Sequence, residues 1–490
     1  MTAGSLSNGP DAGHNEAAQR YYEHSTAPRV NTDVVIVEAL RAEYPNLHLA
    51  VVPQPRCDLF AYAGAGHASI ASMDKEKDRL SWRLFVPAAS RMNGQRGALV
   101  DGVKFGKYLL DWEGKEYIMV FAEGRDGDGA YPQVANQYVL SASVEATNKL
   151  LFECGVWTNA LHNEIWVFDQ GFWSKNAELW NSVQNSHWKD VILDEDMKKA
   201  IIDDVGNFFD NQDTYQRLRV PWKRGIIYYG PPGNGKTISI KAMMNTLYKR
   251  KQPVPTLYVK TLSSFIGPEY SINQIFSLAR REAPCFLVFE DLDSIVTDAV
   301  RSYFLNAVDG IATNEGILMV GSTNHLDRLD PGIAKRPSRF DRKYFFPNPN
   351  EDERTKYMKY WQGKLSDNED LEFPDKLCPA IAKITPGFSF AYLQEAMVAS
   401  LLAIARDSDK FSDTVCLECM QCHAKPGNGR FCENESKRPF KGLFDWIWMV
   451  QRQEDEDPDL DNYILWREMK KQIRILKEEM GREKGSPEEI

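Results

Sequence analysis

The sequence predicts an α/β fold in which helices sandwich a parallel sheet and a helical lid follows, the whole preceded by a β-rich α+β N-terminal domain. Three observations carry this. From about residue 187 to 405, short apolar runs alternate with amphipathic stretches of helical period, the pattern of strands and helices wound into a parallel sheet. Within that region "GIIYYGPPGNGKTISIKAMMNTLY" sets a Gly-rich turn between a strand and a helix. Before it, seven of the twelve Trp lie between 82 and 188 in an irregular, β-leaning stretch. Rings at that density most simply fill one β-rich core, an aromatic ligand box being the rarer use.

A chain of 490 residues exceeds what one core organises, so several domains are expected. Residues 1–30, rich in Gly, Ser, Asn and Ala and without an apolar period, read as a disordered tail. Residues 31–186 read as the β-rich domain. There "NTDVVIVEALRAEYPNLHLAVV" is a short helix capped by Asn31 or Thr32 and then a strand, and "VKFGKYLLDWEGKEYIMVFAEG" is a hairpin around Glu113-Gly114-Lys115. Residues 187–350 form the large α/β subdomain, opening on the helix "DEDMKKAIIDDVGNFF", and residues 351–406 the helical lid. Residues 407–461 are a Cys-containing insertion ending in the acidic linker "EDEDPDLD". Residues 462–490 read as an amphipathic helix with Leu465, Met469, Ile473, Leu476 and Met480 on one face, which must dock on something.

The formal net charge of −10 disfavours a large phosphate-backbone footprint, so nucleic acid is not the expected partner and proteins or small molecules are. The most apolar windows, "YIMVFA" and "CFLVF", are strand-sized, far short of the roughly 20 residues of a membrane span. The first 30 residues hold Arg20, Arg29 and three acids, neither a secretory signal nor an Arg-rich transit peptide, which points to the cytoplasm or the nucleus. Eight Cys fit a reducing compartment.

The Gly-rich turn carries the chemistry. "GPPGNGKT" satisfies G-x-x-x-x-G-K-[ST], with a strand before it and a helix after it, which is the context such a match requires. The backbone of Gly230, Pro231, Pro232, Gly233, Asn234 and Gly235, and the start of the helix at Lys236, Thr237 and Ile238, can wrap phosphate oxygens closely; the amides and the helix's positive end bind the anion without a basic surface elsewhere. Lys236 is expected on the β- and γ-phosphates of ATP and the Thr237 hydroxyl on magnesium. "PCFLVFEDLDSI" is a buried-strand run that delivers Glu290, Asp291 and Asp293 to its carboxyl edge, where a nucleotide sits in such sheets. A third strand, "GILMVGSTN", ends at Asn324, which can hydrogen-bond the γ-phosphate or the attacking water. Arg336 and Arg339 in "KRPSRFDR" are candidates for stabilising charge that develops in phosphoryl transfer.

In this order the motifs resemble those of the AAA-family ATPases over about 187 to 405, and the large subdomain is expected to be a P-loop AAA module. "REAPCFLVFEDLDSI" is similar to the family's second nucleotide motif, "STNHLDRLDPGIAKRPSRFDR" to its second region of homology, and "TPGFSFAYLQEA" to its lid signature. The resemblance implies a sensor role for Asn324, and makes Arg336 and Arg339 the pair that reaches a neighbouring subunit's site in a ring, usually a hexamer. The family writes Asp then Glu where this chain has Glu290 then Asp291, so magnesium falls to Glu290 and water activation to Asp291. That reversal, with "SHWKDVILDEDMKKAIIDDVGNFF", "YQRLRVPWKRGIIYYGPPG" and "FLNAVDG", resembles the branch of the mitochondrial translocase of the Rieske iron-sulfur subunit. This chain has no membrane helix at its amino end and so is more similar to that translocase's soluble, chaperone-like relatives. In the lid, Phe390 replaces the family's second Gly, while Ala391 keeps its place near the adenine.

"KTLSSFIGPEY" aligns with the loop lining the central channel of AAA unfoldases, where Phe265, Ile266 and Gly267 give the aromatic-apolar-Gly pattern; the plainer alternative is a Phe that anchors the loop to its own domain. Two functions follow: an ATP-driven protein remodeller or translocase, with the β-rich domain as a vestibule for clients, or a nucleotide-switched assembly scaffold in which hydrolysis times release. A clamp loader or helicase is disfavoured by the charge. Finally, "CLECMQCHAKPGNGRFC" offers Cys416, Cys419, Cys422 and Cys432, with His423 as another ligand, at spacings that suit zinc; the competing reading is an insertion without metal.

Overall fold

The computed structural model describes residues 23, 31–74, 79–88, 96–125, 133–309, 313–334, 336, 339–368, 371–413 and 458–485. The chain divides into two compact units, Met1–His162 and Asn163–Ile490.

In the first unit, β1 (His48–Pro53), β2 (Ser69–Ser72), β3 (Leu80–Val86), β4 (Ala98–Trp112), β5 (Lys115–Arg125) and β6 (Gln133–Ser141) make one antiparallel sheet. Its order is β1-β6-β5-β4-β2, with β3 pairing the first half of β4. The expected hairpin forms: Glu113 and Gly114 take φ of 52° and 70°, the left-handed pair that a two-residue turn between right-twisted strands requires, and Trp112 lies opposite Lys115. Side chains alternate along β5, and both of its faces are used. Tyr117, Met119 and Phe121 pack with Leu59, Leu110 and Leu150 beneath the helix Val144–Asn159. Val120 and Ala122 pack with Tyr138, Leu140 and Leu40 of the helix Thr32–Glu43.

The second unit is built on β7 (Ile165–Asp169), β8 (Phe172–Asn176), β9 (Lys223–Tyr229), β10 (Thr256–Val259), β11 (Cys285–Phe289), β12 (Ile317–Thr323) and β13 (Arg342–Phe345). Their order is β13-β9-β12-β11-β10-β7-β8, and every pairing is parallel except the β7–β8 hairpin. Helices cover both faces, so β11 and β12 are buried along their whole length, which is why they read as unbroken apolar runs. Strand β9 lies between β12 and β13, later in sequence than itself, and the chain leaves it toward β10 on the far side. A crevice therefore opens at its carboxyl end, the place where open α/β sheets bind ligands.

Three sequence expectations shift. The units divide after His162 and not near 187, because residues 165–176 add a hairpin to the parallel sheet through β7 and β10. The tryptophans accordingly do not share one core. Trp112 is buried in the first unit and Trp82 is 56% exposed on β3, whereas Trp166, Trp173, Trp180 and Trp188 pack on the two cores of the second unit. The lid extends beyond 406. It comprises the helices Glu351–Lys364, Leu377–Ile384 and Phe390–Asp413, and the helix Ile464–Gly485 docks on them. Leu465, Met469, Ile473 and Leu476 are buried there with Leu377, Ile381, Leu393 and Met397. The apolar stripe of the last helix is thus part of the lid core.

Candidate active site

Strand β9 enters the site apolar and buried, and ends at the turn Gly230–Gly235, from which the helix Lys236–Tyr248 departs. Gly233 and Gly235 take φ of 75° and 93°. At Gly233 there is a second constraint: a Cβ would stand 2.5 Å from that of Ala391, and the Gly233 carbonyl accepts a 3.2 Å hydrogen bond from the Ala391 amide. Only glycine lets the turn lie so close to the lid. Asn234 is buried, and its amide donates to Asn348 Oδ1 at 2.8 Å, while Asn348 donates to the Gly387 carbonyl at 3.1 Å. The turn is in this way tied to the end of β13 and to the lid.

A cavity of about 440 Å³ opens over this turn. Pro232, Gly233, Asn234, Gly235, Lys236, Thr237 and Ile238 line it, together with Asp291 from beyond β11, Ser322 and Asn324 from the end of β12, and Phe390 and Ala391 from the lid. Gly230 and Pro231, earlier in the turn, are not among its lining residues. Their carbonyls accept from the Lys236 ammonium at 2.7 and 2.9 Å. Burial pulls this ammonium below the ordinary lysine value, opposed by the charges of Asp291 and Asp293. A buried cation facing carbonyls that phosphate oxygens can replace is a prepared anion site.

The acids are held by β12. The Asp291 amide donates to the Ser322 hydroxyl at 3.2 Å, and the Thr323 hydroxyl donates to Asp293 at 2.7 Å. Asp291 takes a left-handed φ of 50°, unusual for a residue with a Cβ, which turns the chain sharply after β11. Of the expected pair, Asp291 lines the cavity over the Gly-rich turn. Glu290 lines the adjoining one, where its carboxylate accepts a hydrogen bond from the Tyr258 hydroxyl. Burial first, and then this carboxylate, push the Tyr258 phenol well above the ordinary tyrosine range.

The arginines differ in setting. Arg339 is 7% exposed, donates to both oxygens of Asp309 at 2.9 and 2.6 Å, and donates to the Gly332 carbonyl at 2.7 Å. Arg336 touches the same carboxylate only at 3.6 Å, with a side chain 59% exposed. Among the described residues neither lines the cavity over the Gly-rich turn, and Arg339 is engaged within its own chain. Cys416, Cys419, Cys422, Cys432 and His423 lie outside the described residues, and among the described residues no cluster of three or more His, Cys, Asp or Glu stands ready for a metal.

Sequence reasoning assigned no site role to Asp190, Val191, Ile192, Tyr357 or Gln394, which complete the cavity. The first three sit in "SHWKDVIL" and Gln394 in "TPGFSFAYLQEA", segments whose only signal was their likeness to the family's; Tyr357 lies on a lid helix, where nothing local marks it. Phe390 stands beside Tyr357 with ring centroids 5.2 Å apart. The segment that runs from β9 through the acids and the arginines to just beyond β13, residues 226–348, matches the family model described as ATPase family associated with various cellular activities (AAA), so the chain carries an AAA domain.

Proposed function

We propose that the chain hydrolyses ATP as one subunit of a homo-oligomeric ring, a hexamer, and delivers the resulting motion to protein clients. Lys236 meets the β- and γ-phosphates, Asn324 orients the γ-phosphate or the attacking water, and Asp291 activates that water from the cavity wall. Arg336, the exposed member of its pair, reaches a neighbouring subunit's nucleotide, while Arg339 holds the Arg336 segment in shape through Asp309. The oxygen ligands offered by Thr237 and Glu290 suit magnesium, and Glu290 Oε1 is a buried acceptor without a hydrogen-bond partner among the described residues. Magnesium supplies charge neutralisation at the phosphate oxygens when bound.

The observation that carries the client reading is the loop after β10. Phe265 is 94% and Ile266 68% exposed, and Gly267 takes a φ of 107° just before the helix Pro268–Arg281. A phenylalanine anchoring the loop to its own domain would be buried, so this ring is offered to something else. The ribbon of β3 and the first half of β4 likewise exposes Trp82, Phe85 and Leu99 at 56, 62 and 66%, apolar surface suited to partly folded polypeptide.

The test mixes two inactive variants. Lys236→Ala cannot bind nucleotide and Arg336→Ala cannot complete its neighbour's site, so each alone is expected to lose ATP turnover and a mixture to regain part of it. Full turnover by Arg336→Ala alone, independent of protein concentration, would sink the ring. Phe265→Ala is expected to keep turnover and lose unfolding of a tagged client; intact unfolding favours the nucleotide-switched scaffold.

A further inference from the structure

Glu290 is the acid expected to help hold magnesium, and its neighbour on the sheet raises a further point. Tyr258 on β10 lies opposite Val288 of β11. Because side chains alternate, Tyr258, Val288 and Glu290 share one face, and a tyrosine is long enough to span the two-residue offset along the next strand. Its hydroxyl donates to Glu290 Oε2. Glu290 Oε1 is buried, and among the described residues no group hydrogen-bonds to it. A buried carboxylate oxygen in that condition is costly unless a cation or a water meets it. Tyr258 is 8% exposed and lines the cavity it shares with Glu290, Asp291 and Lys260. Phenylalanine would supply the same apolar packing there, so the hydroxyl is explained by this one bond.

Resting on the ATPase reading above, we propose that Tyr258 is a positioning residue: its hydroxyl fixes Glu290 through one oxygen and so presents the other, in a set orientation, to the magnesium ion of the bound nucleotide. Tyr258 itself touches neither metal nor phosphate. It acts as the hydrogen-bonded partners behind metal ligands do, where loss of the partner commonly weakens metal binding by about 10- to 100-fold.

The test is Tyr258→Phe, which removes one oxygen and keeps the packing. ATP affinity is measured first in EDTA, where it reports the Gly-rich turn and Lys236, and Mn²⁺ is then titrated into the ATP-bound protein and followed by electron paramagnetic resonance. Wild type and Tyr258→Phe are expected to bind metal-free ATP within about twofold of each other, and Tyr258→Phe to bind Mn²⁺ roughly tenfold more weakly. In a Glu290→Gln background the tyrosine change is expected to add nothing. Equal or tighter Mn²⁺ binding by Tyr258→Phe overturns the proposal, as does an equal loss with and without the Glu290 carboxylate. A wild type that binds no ATP removes the ATPase reading and the proposal together, whereas a wild type that binds ATP and Mn²⁺ no better than Tyr258→Phe removes only the role of the tyrosine.

Discussion

Asp309 shows how a single carboxylate sets two arginines in different surroundings. It is held below the ordinary aspartate range, first by its hydrogen bonds from Arg339, with Arg336 and Lys223 adding to the effect. A carboxyl whose folded pKa is depressed contributes stability that is present above its unfolded value, about 3.9, and is lost as pH falls through the folded value. Asp309→Asn leaves the buried Arg339 with a neutral partner, which costs about 1 kcal/mol after allowance for the exposure of the carboxylate. The melting temperature of the variant is expected to lie a few degrees below that of wild type at pH 7, with the gap closing as both are acidified below about pH 4. A gap that persists unchanged in acid would show that the ion pair is not its origin. At this scale the sequence was legible where the residues are contiguous: Lys236 and Thr237 announce themselves because one turn and one helix end bring them to the cavity. Tyr258 was not legible, since "TLYV" reads as any buried strand and its hydroxyl gains meaning only from Glu290 on the adjacent strand. The two arginines, three apart and alike in sequence, are separated only by what lies beneath them.

Among the elements, the last helix illustrates a face whose partner is invisible in the chain. Its apolar spacing predicted docking, but the surface it covers is made by lid helices beginning at Leu377 and Phe390, across an insertion of more than forty residues. Leu465 is fully buried in that shared core. Leu465→Ala is expected to cost roughly 2–5 kcal/mol of lid stability, the range for an emptied core site, measured by denaturant unfolding of the full chain. A loss no larger than that of an exposed position such as Ile475, which is 50% exposed, would mean that the helix is not part of the lid. The hairpin β7–β8 makes the complementary point. Its alternation and aromatic content belong to any antiparallel region, so composition grouped it with the strands before it. Backbone pairing of β7 with β10 is a long-range choice, fixed by Trp166, Phe168 and Trp173 packing onto the buried core of the parallel sheet.

For the whole molecule, every described residue of the cavity over the Gly-rich turn lies in Asn163–Ile490. Binding to the folded state alone stabilises by mass action, about 2.7 kcal/mol at a ligand concentration one hundred times Kd. ATP with magnesium is therefore expected to raise the calorimetric transition of this unit, and to leave unchanged a transition followed through Trp112 of the antiparallel unit. A shift of both by the same amount would show that the two unfold as one. Among the described residues no helix is long and apolar enough to cross a membrane. The sequence by itself determined the parallel α/β architecture, the strand-turn-helix of the Gly-rich motif and the strand that delivers acids, because each depends on neighbours in the chain and on a period of burial. Tertiary structure alone decided that Glu290 leans on Tyr258, that Arg339 is spent on Asp309 while Arg336 stays exposed, and that residues 165–176 complete the parallel sheet. Those outcomes turn on contacts between segments tens of residues apart, which local propensity and spacing do not encode.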